Sequence, residues 1–218
     1  THSHEDHLCI PNIDVLTMTP QRDNKPLHIY LSEAACDFVQ RYMEALRPVF
    51  ADGKTGLETL VERGVVVLHP VKPYTHFTVD GMDVFTIESN HIAHGKNEHA
   101  LNYVFTKPDG QKLIYAADTG LYSEENLKVL SGTAADVLVM EGTFGDIHVE
   151  GARATHLNAE NFVKQLENLL ACGAITKKTM VYMTHINQVQ HLNHAAYQAY
   201  MDEHAPVTVL IAHDGLRV

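Results

Sequence analysis

Short apolar runs alternate along the chain with stretches in which apolar residues recur every three or four positions. Residues 27–31 (LHIYL) read as a strand. From Ser32 to about Leu46 the apolar positions Ala35, Phe38, Val39, Tyr42, Met43 and Leu46 share one helical face, with Ser32 suited to the N-cap and Pro48 helping to end the helix. Residues 55–63 predict a second, short helix and 65–69 (VVVLH) a strand. Residues 74–79 and 82–90 flank an Asp80-Gly81 turn and predict a hairpin. Residues 101–106 and 112–117, around Pro108-Asp109-Gly110, predict another.

Beyond these hairpins, strand and helix alternate. Residues 123–130 predict a helix, 136–140 a buried strand, 179–184 a strand, 193–203 a helix and 207–212 a last strand. Residues 158–171 form a clear amphipathic helix with Phe162, Leu166, Leu169 and Leu170 inward. The mixture predicts an α/β protein with two sheets and helices outside them. No internal repeat or low-complexity linker interrupts it. The expectation is one domain over 1–218, with a helical insertion at about 32–63.

Composition narrows the function. A chain of 218 residues, 45% hydrophobic, is long enough for one sizeable core. No run approaches the roughly 18 unbroken apolar residues of a membrane span. The net charge of −11 disfavours a nucleic-acid partner and fits a small-molecule substrate better. Cys9, Cys36 and Cys172 form no C-x-x-C pair, so free thiols in a reducing, cytoplasmic setting are expected. Histidine is the outlier, with 16 residues against 16 for Lys and Arg combined.

Several of these histidines sit in chemical company. Residues 1–7 read THSHEDH. Three imidazoles and a carboxylate in so short a span suit transition-metal binding. His2 and His4, at i and i+2, can point the same way, and Asp6 and His7 can serve a second ion. Such a motif would be poorly held on a fraying terminus, so a natural parent is expected to carry a strand leading into Thr1. His91 follows the 84–90 strand and is the preferred next ligand, with His94 as its competitor. KLIYAADTG delivers Asp118 at a strand end, placed to bridge two ions, and TMVYMTH delivers His185 at another. His156, in ATHLNAENF, is expected to face the metals without binding them and to protonate or stabilise a leaving group.

In this order, H-x-H-x-D-H, a strand-end His, a strand-end Asp followed by Thr-Gly, and a late strand-end His resemble the metallo-β-lactamase-fold hydrolases. The resemblance implies an αββα four-layer sandwich, with the site at one edge of the two sheets and strands ahead of the first motif that this sequence lacks. It also implies that His2, His4 and His91 hold one ion, that Asp6, His7 and His185 hold the other, and that Asp118 bridges them. His4 stands where flavodiiron oxygen reductases carry a glutamate, which argues against redox chemistry. The last third resembles the phosphodiesterase branch, which includes phosphoribosyl cyclic phosphodiesterases and tRNA 3′-processing endonucleases. The long glycine-rich arm of the tRNA enzymes has no counterpart here. Implied, then, is a dinuclear phosphodiesterase for a small or cyclic phosphate ester. Asp6 would orient the water and His156 would assist the leaving group. The cofactors would be two divalent transition-metal ions, zinc first, with manganese or iron as alternatives. A homodimer would be in keeping with the family. The competing functions are hydrolysis of a thioester, lactone or amide, and metal binding without turnover.

Overall fold

The computed structural model describes residues 1–18, 25–49, 51, 53–94, 97–187 and 190–217, with the side chains of residues 14, 152 and 153 excepted. The chain divides into two compact units. One comprises Thr1–Pro73 and Ile92–His99, the other Tyr74–His91 and Ala100–Val218.

In the first unit a short helix α1 (Ile13–Thr17) precedes strand β1 (Leu27–Ser32), which pairs in parallel with β2 (Val66–Val71). Two parallel strands cannot be joined by a tight turn and need a crossover. Helices α2 (Glu33–Leu46) and α3 (Gly56–Glu62) supply it, so the helical stretch at 32–63 is the connection between paired strands. Ser32 caps α2 by accepting from Ala35 N at 3.0 Å, and Thr55 and Glu58 form a capping box on α3. Ala35, Val39 and Met43, spaced four apart, carry the buried face of α2. They join Leu31, Leu57 and Val66 in one apolar cluster. The helix α1 was not expected from the apolar pattern; its five residues are too few for a helical period to show.

The second unit is built on a seven-stranded sheet in the order β3 (His76–Val79), β4 (Met82–Ile92), β5 (His99–Thr106), β6 (Lys112–Ala116), β7 (Ala135–Glu141), β8 (Ile175–Thr184) and β9 (Val209–Ile211). Both expected hairpins are present: β3 and β4 pair antiparallel, as do β5 and β6. From β6 to β9 the strands run parallel. Their crossovers are α4 (Glu124–Leu130), α5 (Ala159–Ala171) and α6 (His194–His204). Alternate residues of the central strands, among them Ile114, Leu138 and Val181, are buried with Phe162 and Leu166 of α5 and Tyr197 of α6. β8 begins at Ile175, four residues earlier than its apolar run suggested. Its polar start TKK contributes exposed positions, and the β7–β8 register shifts between Ala135 and Val137. Among the described residues no helix is long and apolar enough to cross a membrane.

In parallel β/α structure, the carboxyl ends of the strands lie at one edge of the sheet, where the following loops can gather functional groups. β6, β7 and β8 deliver Asp118, Glu141 and His185 at or just beyond those ends.

Candidate metal centre

The donor set of the second unit hangs on Asp118, which is buried at 2% exposure. Asp118 and His185 both have positive φ, +53° and +56°, as the chain leaves β6 and β8. Non-glycine residues adopt this left-handed conformation at a cost of order 1–3 kcal/mol, and it persists where the surroundings enforce it. At Asp118 the enforcement is visible. Ser89 Oγ donates to the Asp118 carbonyl at 2.7 Å while accepting from His91 N at 2.9 Å. Asn102 Nδ2 donates to Ala117 O at 2.9 Å, and Gly120 N donates to Asn90 Oδ1 at 2.7 Å. A Cβ on Gly120 would lie 2.1 Å from the Ala154 carbonyl oxygen, so the glycine of the Asp-Thr-Gly run is a steric requirement.

Around this carboxylate the structure gathers three imidazoles. His185 Nε2 lies 3.1 Å from Asp118 Oδ1, and His91 Nε2 lies 3.5 Å from Oδ2. Asp118, His156 and His185 each offer a ligand atom within 4.8 Å of the others. The His156 ring stands edge-on to His91 at 4.5 Å and parallel to His185 at 6.1 Å. His156, expected to face the metals without binding them, is therefore close enough to Asp118 and His185 to share a ligand sphere.

Glu141, which ends β7, organises the imidazoles and was not singled out from the sequence. It is fully buried. Its Oε1 accepts from Thr119 N at 2.8 Å and from His156 Nδ1 at 2.7 Å. Its Oε2 accepts from Thr143 N, Thr143 Oγ1 and Leu157 N at 3.1, 2.5 and 3.2 Å. A buried carboxylate is tolerable when donors saturate it in this way. The available signal was an acid closing an otherwise apolar strand immediately before Gly142-Thr143.

These bonds assign protons. Thr143 spends its hydroxyl hydrogen on Glu141, so its oxygen accepts from His185 Nδ1–H at 3.0 Å. In the neutral imidazole His185 Nε2 is then a lone pair, and it stands 3.1 Å from a carboxylate oxygen. Two acceptors hold such a position around a shared cation, and imidazole nitrogen with carboxylate oxygen suits a divalent transition metal. His156, donating from Nδ1 to Glu141, turns Nε2 outward from that bond.

The first unit holds the other candidate donors. His2 Nε2 and His4 Nδ1 are 2.9 Å apart, and Thr1 Oγ1 lies 2.9 Å from His2 Nδ1 and 3.1 Å from His7 Nδ1. Backbone bonds from His7 N and Leu8 N to His4 O, at 3.0 and 2.8 Å, turn the chain and bring the His7 ring to 4.3 Å from His2. Asp6 is exposed, its carboxylate 3.5 Å from His7 Nε2. His91 and His94 separate clearly. His91 lies beside Asp118, whereas His94 packs in the first unit, stacked on Phe38 at 4.5 Å and edge-on to His4 at 5.1 Å.

Comparison with known proteins agrees with this fold. The chain resembles the metallo-beta-lactamase fold protein YhfI from Bacillus subtilis (18% identity, TM-score 0.68, 99% of this chain and 73% of that one). It resembles yeast PDE1 (17%, 0.72, 99% and 66%) and a diphosphatase of the PhnP family (21%, 0.65, 100% and 68%). At these identities the likeness establishes the fold, and this chain spans about two thirds to three quarters of those proteins' lengths. Among curated proteins none matches. The model of the Beta-lactamase superfamily domain matches residues 1–186, and with that match the α/β fold and the histidine–aspartate clusters have one common explanation: the chain belongs to the beta-lactamase superfamily of metal-dependent hydrolases.

Proposed function

We propose that this chain is a dinuclear-metal phosphodiesterase acting on a small or cyclic phosphate ester. His2, His4 and His91 would hold one ion, Asp6, His7 and His185 the other, and Asp118 would bridge them. The observation that carries the proposal is the approach of His185 Nε2 to Asp118 Oδ1, 3.1 Å apart, with the imidazole oriented by Thr143 and Glu141. Phosphodiester chemistry is favoured by the His156–Glu141 pair, which suits protonation of an alkoxide leaving group, and by the likeness to yeast PDE1 and the PhnP-family diphosphatase.

Two divalent ions, zinc first among the candidates, supply when bound a water acidified towards a pKa of about 7 and positive charge opposite the phosphoryl oxygens. The chain's own residues do the rest. Asp6 orients the attacking water through its carboxylate. The water releases one proton to solvent as its oxygen bonds to phosphorus, the bond to the leaving oxygen breaks, and that oxygen takes the proton held at His156 Nε2. Glu141 fixes the ring through Nδ1–H and offsets its positive charge while Nε2 carries the proton. The net charge of −11 favours a small substrate over a polynucleotide.

Elemental analysis of protein purified without added metal, paired with hydrolysis of bis(p-nitrophenyl) phosphate and of a thioester, lactone and amide panel, tests this proposal. About two ions per chain with phosphodiester turnover is expected. Two ions with turnover confined to the ester or amide substrates would replace the phosphodiesterase by a hydrolase of those bonds. Bound metal with no turnover on any substrate would favour a binding module.

A further inference from the structure

Ser3 lies between His2 and His4, and nothing in the chemistry proposed above uses it. It is 1% exposed, and so is Glu98. Ser3 N donates to Glu98 Oε1 at 2.7 Å and Ser3 Oγ donates to Glu98 Oε2 at 2.5 Å. Among the described residues these are the only hydrogen bonds to the Glu98 carboxylate, and it forms no ion pair. A buried carboxylate without a cationic partner is costly, and charge-assisted bonds of this kind are the strong ones that offset such a cost. Here both go to the single residue from whose two sides the imidazoles project. The segment carrying Glu98 is itself held, since Ala93 N donates to Glu98 O at 2.9 Å. The same segment touches the motif a second time through His94, which is edge-on to His4 and backed by Phe38 of α2.

We propose that Glu98 is a positioning residue for the metal centre. By clamping the backbone and hydroxyl of Ser3 it fixes the peptide frame from which His2 and His4 present their nitrogens to one ion. The proposal rests on the assignment of His2 and His4 as ligands. Hydrogen-bonding partners beyond the ligands typically contribute 10–100-fold to metal affinity by fixing ligand orientation. Here the clamp acts on the main chain between two ligands, so its loss should loosen both imidazoles of one ion and leave the other ion's site as it was.

The test is calorimetric titration of the metal-stripped full chain with Zn²⁺ alone, with the melting temperature recorded for each protein. Wild type should show two binding steps. Glu98→Ala should weaken one step by about 10–100-fold and leave the other within about twofold. Ser3→Ala, which keeps the backbone bond, and Glu98→Gln, which keeps an acceptor oxygen, should weaken the same step by less. A folded Glu98→Ala protein with both steps at wild-type affinity would overturn the clamp. So would equal weakening of both steps alongside a lower melting temperature, the mark of a merely structural contact. If Glu98→Ala does not fold, the two milder variants decide, and wild-type affinity in both overturns the proposal. Wild-type protein that takes up no zinc would instead overturn the metal-centre assignment itself.

Discussion

The two units hold their candidate ligands by different means. In the second unit the donors come from residues far apart in sequence, Asp118, His156 and His185, and parallel strands bring them together. His156 directly, and His185 through Thr143, are oriented by a fully buried carboxylate that accepts five hydrogen bonds. In the first unit the donors are neighbours in sequence, His2, His4, Asp6 and His7. They are arranged by a turn, by Thr1 and by the Glu98–Ser3 pair. A local motif gives its donors proximity without a scaffold, and a strand-end set gains rigidity from the sheet. The second unit should therefore be the harder to disturb by changing one hydrogen bond and the more sensitive to loss of one ligand.

Asp118→Ala offers the largest effect. It removes the carboxylate around which His91 and His185 are grouped, and it relieves none of the surrounding order. Metal content should fall from about two ions per chain to one or fewer, and hydrolysis should cease. Retention of both ions would show that the imidazoles suffice and that Asp118 does not bridge. His91→Ala should cost about one ion, while His94→Ala, whose ring is engaged with Phe38, should keep both. The reverse pattern would exchange their roles.

His156→Ala separates a proton donor from a ligand. If the ring serves the leaving group, turnover should fall by roughly 10²–10⁴-fold with metal content intact. A loss of metal would make His156 a ligand, as its distance from Asp118 and His185 allows. Glu141→Gln should lower turnover in the same direction by a smaller factor, since it leaves one acceptor oxygen where two now hold His156 and Thr143.

Gly120→Ala tests the sheet side of the comparison without touching a donor. The new methyl would collide with the Ala154 carbonyl, and the Asn90 amide nitrogen is also within 2.7 Å of the Cβ position. Overpacking against backbone costs typically 1–3 kcal/mol. At about 2–4 °C per kcal/mol for a chain of this size, thermal unfolding should move down by several degrees. An unchanged melting temperature would mean that the segment around Ala154 yields, and that Asp118 is less firmly held than its hydrogen bonds suggest.

How much of this was legible in the sequence follows from the same contrast. THSHEDH suggests metal binding by residue type alone. Asp118 and His185 could be suspected because each closes an apolar run, the mark of a strand end. The β/α alternation after residue 112 was readable from period and length. Glu141 was hidden because an acid at the end of an apolar strand resembles a solvated terminus until the fold buries it. Glu98 was hidden for a different reason: its partner is 95 residues away, and neither residue type is a metal ligand of the motif. The nature of 32–63 as a crossover depended on the pairing of β1 with β2, which no local pattern encodes.

The smallest effect lies in that crossover and distinguishes its stability from the chemistry. The Arg47 guanidinium, joined by the backbone of Thr55, holds the Glu58 carboxyl down at about 2, from an ordinary value of 4.5. A carboxylate whose folded value is depressed adds stability that is fully present above its unfolded value. That stability is lost as the pH falls through the folded one. Glu58→Gln should therefore lower the melting temperature slightly at neutral pH. The gap should persist down to about pH 4.5, close between there and about pH 2, and be absent below. Because the pair lies on the surface, added salt should narrow the gap at neutral pH. Zinc affinity should not follow it, since Glu58 caps α3 and touches neither Ser3 nor the imidazoles. A Glu58→Gln protein that lost zinc binding in the same pH window would mean that the crossover and the H-x-H-x-D-H motif are coupled more tightly than their separate hydrogen bonds imply.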